Sequence, residues 1–172
     1  MALVFHELFM LSGLLTSGPE MVPLVSLSGA ESERRIVLNI RDTRVRDHPA
    51  AARALLHDLN NSRIANGLAP LMLEPRLCDI ARAHALDMAQ HKYFGHNSLD
   101  GATPFERMLR AGYKYRSAGE NLAFDVDEPS AERMLWRSNG HRSNMLESHF
   151  GRVGVAAVAT DAGEIFVEDF SD

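Results

Sequence analysis

Three short segments of this chain set an ionisable side chain among small residues: Phe94-Gly95-His96-Asn97-Ser98, Gly119-Glu120-Asn121 and Gly140-His141-Arg142-Ser143-Asn144. Glycine beside a titratable residue reads as a tight bend, and bends carry binding and chemistry because a rigid scaffold presents their side chains. Histidine is the commonest neutral metal ligand and the one side chain that titrates near neutral pH unperturbed. His96 and His141 with Glu120 would make a set of two imidazoles and one carboxylate, suited to zinc or a similar divalent cation. The same groups would serve as a proton-transfer pair with an orienting carboxylate. A third reading is structural: Glu120 accepts backbone N–H bonds in a turn, and the histidines cap element ends. The spacing matches no local metal motif, so the residues alone leave all three readings open.

Ser98, Asn121 and Arg142 belong to the same candidate cleft. Ser98, Ser138 and Ser143 adjoin the histidines, but no Gly-x-Ser-x-Gly elbow is present, which argues against a hydrolase of that type. Asn121 and Asn144 read as braces, and Arg142 as an anion contact or a tie between segments. His84 falls in an apolar helical stripe and reads as a hydrogen-bonded core histidine. Trp136, Phe94 and Tyr113 would line a pocket or, singly, pack in the core. Cys78 is the one cysteine, so no internal disulfide forms. Nothing cationic adjoins it to lower its pKa, and it reads as a small buried hydrophobe.

The elements that must hold these segments follow from proline, glycine and periodicity. Asp47 or His48 caps a helix with Pro49 in its first turn, ending at Asn66-Gly67. A second opens at Pro75 and carries Leu77, Ile80, Ala81, His84 and Met88 on one stripe, ending near His91. Thr103-Pro104-Phe105-Glu106 is a capping box that starts a third. A fourth runs from Pro129-Ser130 past Trp136 to Asn139-Gly140. Gly154 to Thr160 and Glu164 to Phe170 form a hairpin around Asp161-Ala162-Gly163. In its second arm Ile165, Val167 and Asp169 share one face, and Phe166, Glu168 and Phe170 the other. Leu122 to Phe124 adds a strand, and Arg35 to Ile40 is a candidate for another. The pattern is α+β, with helices covering a mainly antiparallel sheet.

At 172 residues and 45% hydrophobic content, the chain suits one domain with a single sizeable core. A formal charge of -5 argues against general affinity for nucleic acid or an anionic membrane surface. Residues 1–30 hold no Lys or Arg. Their apolar run, Phe9 to Leu15, and the small residues Ser28-Gly29-Ala30 resemble a secretory leader that lacks a basic start. The run is too short to span a bilayer. The organisation expected is a leader at 1–30, a linker or arm at 31–48 and a compact domain at 49–172.

The ordered series of motifs resembles the CAP superfamily, which includes the cysteine-rich secretory proteins, antigen 5 and pathogenesis-related 1, and most closely its bacterial exported branch. The series runs Leu59-Asn60-Asn61-Ser62-Arg63, Gly67-Leu68-Ala69-Pro70-Leu71, Leu77 to Ala89 and Phe94-Gly95-His96-Asn97-Ser98. It continues through Gly119-Glu120-Asn121, Trp136 to Leu146 and Val153-Gly154-Val155. The resemblance implies a three-layer α-β-α sandwich with an open cleft, in which His96, Glu120 and His141 match the cleft positions and a divalent cation such as zinc binds. The second cleft acid of the eukaryotic members falls near Ser138 and Asn139, and Glu132 lies a turn earlier, so no paired-acid mechanism carries over. Also implied are export to the periplasm or outside the cell, and a small-molecule, lipid or protein partner. The chain is expected to act as a monomeric binding module, with a metal- or His/Glu-dependent hydrolase as the alternative.

Overall fold

The computed structural model describes residues 3–9, 35–42 and 44–172. Proline opens four of the helices described, where its missing N–H costs nothing. These are α1 (Pro49–Ala65), α2 (Pro75–His91), α3 (Pro104–Arg110) and, with proline second, α4 (Glu128–Arg137). The capping box of α3 is complete: the Thr103 side chain accepts from the Glu106 backbone N–H, and the Glu106 carboxylate accepts from the Thr103 N–H. A fifth helix, α5 (Asn139–Met145), follows α4 directly and contains His141.

The strands are β1 (Leu3–Phe9), β2 (Ile36–Val37), β3 (Arg46–Asp47), β4 (Met72–Leu73), β5 (Tyr93–Phe94), β6 (Ala118–Asp125), β7 (Arg152–Thr160) and β8 (Gly163–Ser171). The main sheet runs β1-β6-β8-β7-β3 and is antiparallel, with β4 added parallel to β7. β2 and β5 pair separately.

Side chains alternate across a strand, so each of β6, β7 and β8 feeds two cores. Leu122, Ala156, Val158, Ile165 and Val167 pack with Ala81, Ala85 and Met88 of α2. Ala123, Val155, Ala157, Phe166 and Phe170 pack with Leu55 and Leu59 of α1, Ala131 and Leu135 of α4, and Met145 of α5. Hence α2 and α3 cover one face and α1, α4 and α5 the other, the three-layer α-β-α sandwich expected. The alternation read for β8 holds, with Ile165 and Val167 opposite in face to Phe166 and Phe170.

Leu38 and Ile40, from the stretch expected as an arm, are buried against α2, and Arg46–Asp47 joins the sheet at β7. Residues 3–9 of the expected leader form β1, and its remainder, residues 1–2 and 10–30, lies outside the described residues. No helix described is long and apolar enough to cross a membrane.

Candidate functional site

The three expected bends become three different structures. His96 lies in a bend after β5, Glu120 sits within β6, and His141 occupies α5. Gly119 serves close approach rather than a turn. A Cβ there would stand 3.2 Å from both Asn144 Oδ1 and Phe150 Cζ, so its absence lets α5 and the loop after it settle on β6.

Glu120 shares the face of Leu122, towards α2 and α3. Its carboxylate is the hub of a buried network. His96 Nδ1 donates to Oε1 at 2.7 Å, and Arg107 Nη2 donates to Oε2 at 2.5 Å. Arg107 also donates through Nη1 to the His96 carbonyl at 2.6 Å, so one guanidinium from α3 locks both partners. Glu120 is wholly buried, and the His96 and Arg107 side chains are 3% and 12% exposed. Burial alone would raise the Glu120 carboxyl, but the Arg107 charge, then the His96 hydrogen bond, hold it down to about 2. Directly across the ladder stands Asp169. Burial and then the Glu120 charge push Asp169 well above the usual carboxylate range. The two acids are therefore pushed in opposite directions, Glu120 towards its ionised form and Asp169 towards its neutral one. His84 completes this side, its Nε2 donating to the Gly95 carbonyl at 3.0 Å, with burial first among the causes that lower its pKa to about 3. It is a neutral core histidine, as read from the sequence.

Asn121, the next residue, faces α1, α4 and α5. Its Nδ2 donates to the His141 carbonyl at 3.3 Å and to Glu168 Oε2 at 2.9 Å, and Asn144 Nδ2 donates to Asn121 Oδ1 at 2.9 Å. The two asparagines are the braces expected, and they dock α5 on β6. Arg63, buried at 2% exposure, holds the far end of α5 by donating to the carbonyls of Met145, Glu147 and Phe150. His141 and Glu120 thus belong to opposite faces of one strand, and the outer edge of β6 lies between them.

Arg142 is a tie: Nη2 donates to Asn139 Oδ1 at 2.7 Å and Nη1 to the Trp136 carbonyl at 3.2 Å. Ser98 Oγ accepts from Arg107 Nη1, and Ser143 Oγ donates to the Asn139 carbonyl. Trp136, Phe94 and Tyr113 fall in three separate clusters. A surface cavity of about 410 Å³ touches His84, Asp87, Ser98 and Arg107; His96, Glu120 and His141 do not line it. Among the described residues no three His, Cys, Asp or Glu side chains are arranged to hold a metal ion.

Sequence reading missed Arg107, Asp169 and Glu168. The two acids did carry a signal: each alternates with apolar residues along a strand buried on both faces. Burial, opposed by the Asn121 hydrogen bond and reinforced by Glu132 and Glu128, lifts Glu168 to about 7. A carboxyl raised in the fold is bound to its proton more tightly there than in the unfolded chain. Stability therefore falls as pH rises from the ordinary carboxylate range through about 7. Glu168→Gln keeps an acceptor for Asn121 and removes the titration. It should leave stability unchanged near pH 4.5 and raise it by about 1–3 kcal/mol at pH 8, read from thermal unfolding at the two pH values.

Residues 56–170 match the family model described as "CAP: Cysteine-rich secretory protein family". The chain is 37% identical over 112 residues to the uncharacterized protein YkwD of Bacillus subtilis, covering 64% of this chain and 43% of that one. It is 34% identical over 100 residues to the uncharacterized membrane protein YlbC of the same organism, covering 57% and 29%. An extracellular protein of Bacillus anthracis containing a SCP domain superposes with a TM-score of 0.66 at 27% identity, covering 72% of this chain and 40% of that one. An outer surface protein of Borrelia burgdorferi shares the fold, with a TM-score of 0.68 at 20% identity, covering 78% and 97%. The chain thus spans less than half the length of its two Bacillus subtilis relatives. The match across two thirds of the sequence, with the fold in agreement, places this chain in the CAP, or cysteine-rich secretory protein, family.

Proposed function

We propose that this chain is an exported CAP-domain binding module, working outside the cell or in the periplasm, in which His96, oriented by Glu120, holds a divalent cation such as zinc beside a small-molecule, lipid or protein partner; His141, expected to share that cation, docks with α5 on the other face of β6. The carrying observation is the 2.7 Å contact of His96 Nδ1 with Glu120. An ionised carboxylate only accepts, so the ring proton stays on Nδ1 and the lone pair falls on Nε2, the atom a cation takes. A carboxylate behind a histidine is the usual way a ligating ring is oriented and made more basic. Glu120 itself has both oxygens engaged and is no ligand. The protein's donor on this reading is the His96 imidazole, with water or the partner completing the coordination. The extracellular relative of Bacillus anthracis supports export.

Hydrolysis is supported less. A carboxylate held down to about 2 is a weak base at neutral pH, and the hydroxyls of Ser98 and Ser143 are engaged with Arg107 and the Asn139 carbonyl.

Calorimetric titration with zinc tests the reading. Wild-type protein should release or absorb heat and, at a hundredfold excess of zinc over Kd, gain about 2.7 kcal/mol of stability. His96→Asn keeps an N–H towards Glu120 but lacks Nε2, and should lose both responses. Arg142→Ala should retain them. Neither heat nor a thermal shift in the wild type would overturn the proposal.

A further inference from the structure

β6 carries Glu120 towards one helical layer and Asn121 towards the other, and it would be the edge of the sheet but for β1. An uncovered edge presents a row of N–H and C=O groups that accept any extended chain of suitable length. Here β1 pairs antiparallel along nearly all of β6, from Leu3 opposite Phe124 to Phe9 opposite Ala118. Seven consecutive residues are in register, with His6 opposite Asn121 and Glu7 opposite Glu120. β6 also lies between His96, beneath α3, and α5, which bears His141. A strand on that edge therefore passes between the two halves of the candidate site. The segment has the composition of an added strand, Leu3-Val4-Phe5-His6-Glu7-Leu8-Phe9, with no proline and no glycine.

Resting on the binding-module reading, we infer that the outer edge of β6 is a strand-acceptor site. Its ligand class is an extended, largely apolar polypeptide segment, and β1 is the occupant the chain itself supplies. Backbone hydrogen bonds would give such a partner its affinity, and the layers on either side of the edge would read its alternate side chains. A partner strand must displace β1, so β1 sets the threshold for binding. The outer segment and the domain then form one device: β1 in place closes the edge, and β1 removed or exchanged opens it.

Hydrogen exchange on the full chain tests this. In the wild type, alternate amides of Ala118–Asp125, those pointing away from β8, should exchange as slowly as those of β8. Phe5→Pro with His6→Pro removes two successive N–H groups of β1, one of which must face β6. In this variant the outward amides of β6 should exchange at least about tenfold faster, while β7 and β8 keep their protection. A synthetic decapeptide with the sequence of residues 1–10, added in trans, should restore the slow exchange, and a scrambled decapeptide should not. Fast exchange at every outward amide of β6 in the wild type overturns the inference. So does unchanged protection in the proline variant, or equal rescue by the scrambled peptide. If the proline pair unfolds the domain, seen as faster exchange in β7 and β8 as well, the wild type decides. Labelled decapeptide must then bind it slowly and saturably, limited by release of β1, and absence of binding overturns the inference. Zinc titration separates this from the metal reading: His96→Asn should lose zinc uptake and keep the response to the decapeptide.

Discussion

Glu120→Gln should cost about 3–5 kcal/mol of folding stability at pH 7, the range seen when one partner of a buried ion pair is removed. Both carboxylate oxygens accept from donors, His96 Nδ1 and Arg107 Nη2. An amide has one acceptor oxygen, so its N–H₂ must face one of these donors, and Arg107 keeps its charge at 12% exposure without a counter-ion. The pH dependence identifies the cause. The carboxyl is depressed in the fold, so the stability it contributes is present above the ordinary carboxylate range and is lost as pH falls towards about 2. The variant should lack that acid-side loss. It should also recover part of its deficit above neutrality. With the Glu120 charge gone, one cause that raises Asp169 disappears, and Asp169 can ionise beside Arg107. Asp169→Asn alone should cost less than about 1 kcal/mol at pH 7, because an amide replaces a carboxyl that burial and the Glu120 charge already push towards its neutral form. The double variant should be worse than the sum of the two, since the rescuing charge is then missing. Urea unfolding of the three variants at pH 5, 7 and 9 measures this. A Glu120→Gln cost under about 1 kcal/mol would show that the carboxylate is not the counter-ion of Arg107.

The helices were legible because their starts are local chemistry. Pro49, Pro75 and Pro104 sit where the missing N–H is harmless, and the Thr103–Glu106 box needs only its own residues. The β7–β8 hairpin was legible for the same reason: alternation fixes which face Ile165 and Phe166 take. Glu120 in a strand was not legible, because Gly119 looks like punctuation until the contacts of a hypothetical Cβ with Asn144 and Phe150 are seen. Nor was α5. Gly140 is a poor helix former, and the turn around His141 is held by tertiary bonds, Arg63 at one end and the Asn121–Asn144 pair along its length. His96 and Glu120 were grouped from sequence by their glycine-flanked segments, and the family's motif order supported that grouping. The partner that binds them, Arg107, lies in a helix whose sequence signals are spent on its cap. Asp169 was placed on the correct face, yet an acid on a core face has meaning only once the register sets it opposite Glu120.

The same distinction between a glycine that turns and a glycine that makes room gives the other large effect. Gly154→Ala should destabilise the chain by about 3 kcal/mol or more, although alanine is the smallest side chain available and suits a strand no worse than glycine. A Cβ on Gly154 would lie 2.1 Å from the Leu77 carbonyl carbon and 2.4 Å from the Cys78 nitrogen. Both are backbone atoms at the start of α2, so no rotamer change relieves the overlap, and the helix itself must lift from β7. That lift has two consequences. It opens the apolar contact of α2 with Ala156, Val158 and Val167. It also moves the bend after α2 that carries His96 away from Glu120. Stability and the His96–Glu120 contact should therefore fail together, and zinc-induced heat, where wild type shows it, should weaken even at temperatures at which the variant remains folded. Gly67→Ala provides the control. Gly67 has open space around the would-be Cβ and only a positive φ of 76° to oppose it, so its cost should be about 1 kcal/mol, with no change at the site. Thermal unfolding of the two variants side by side, with the histidine ring resonances followed by NMR, checks both effects, and equal costs for the two glycines would overturn the account of how β7 and α2 pack.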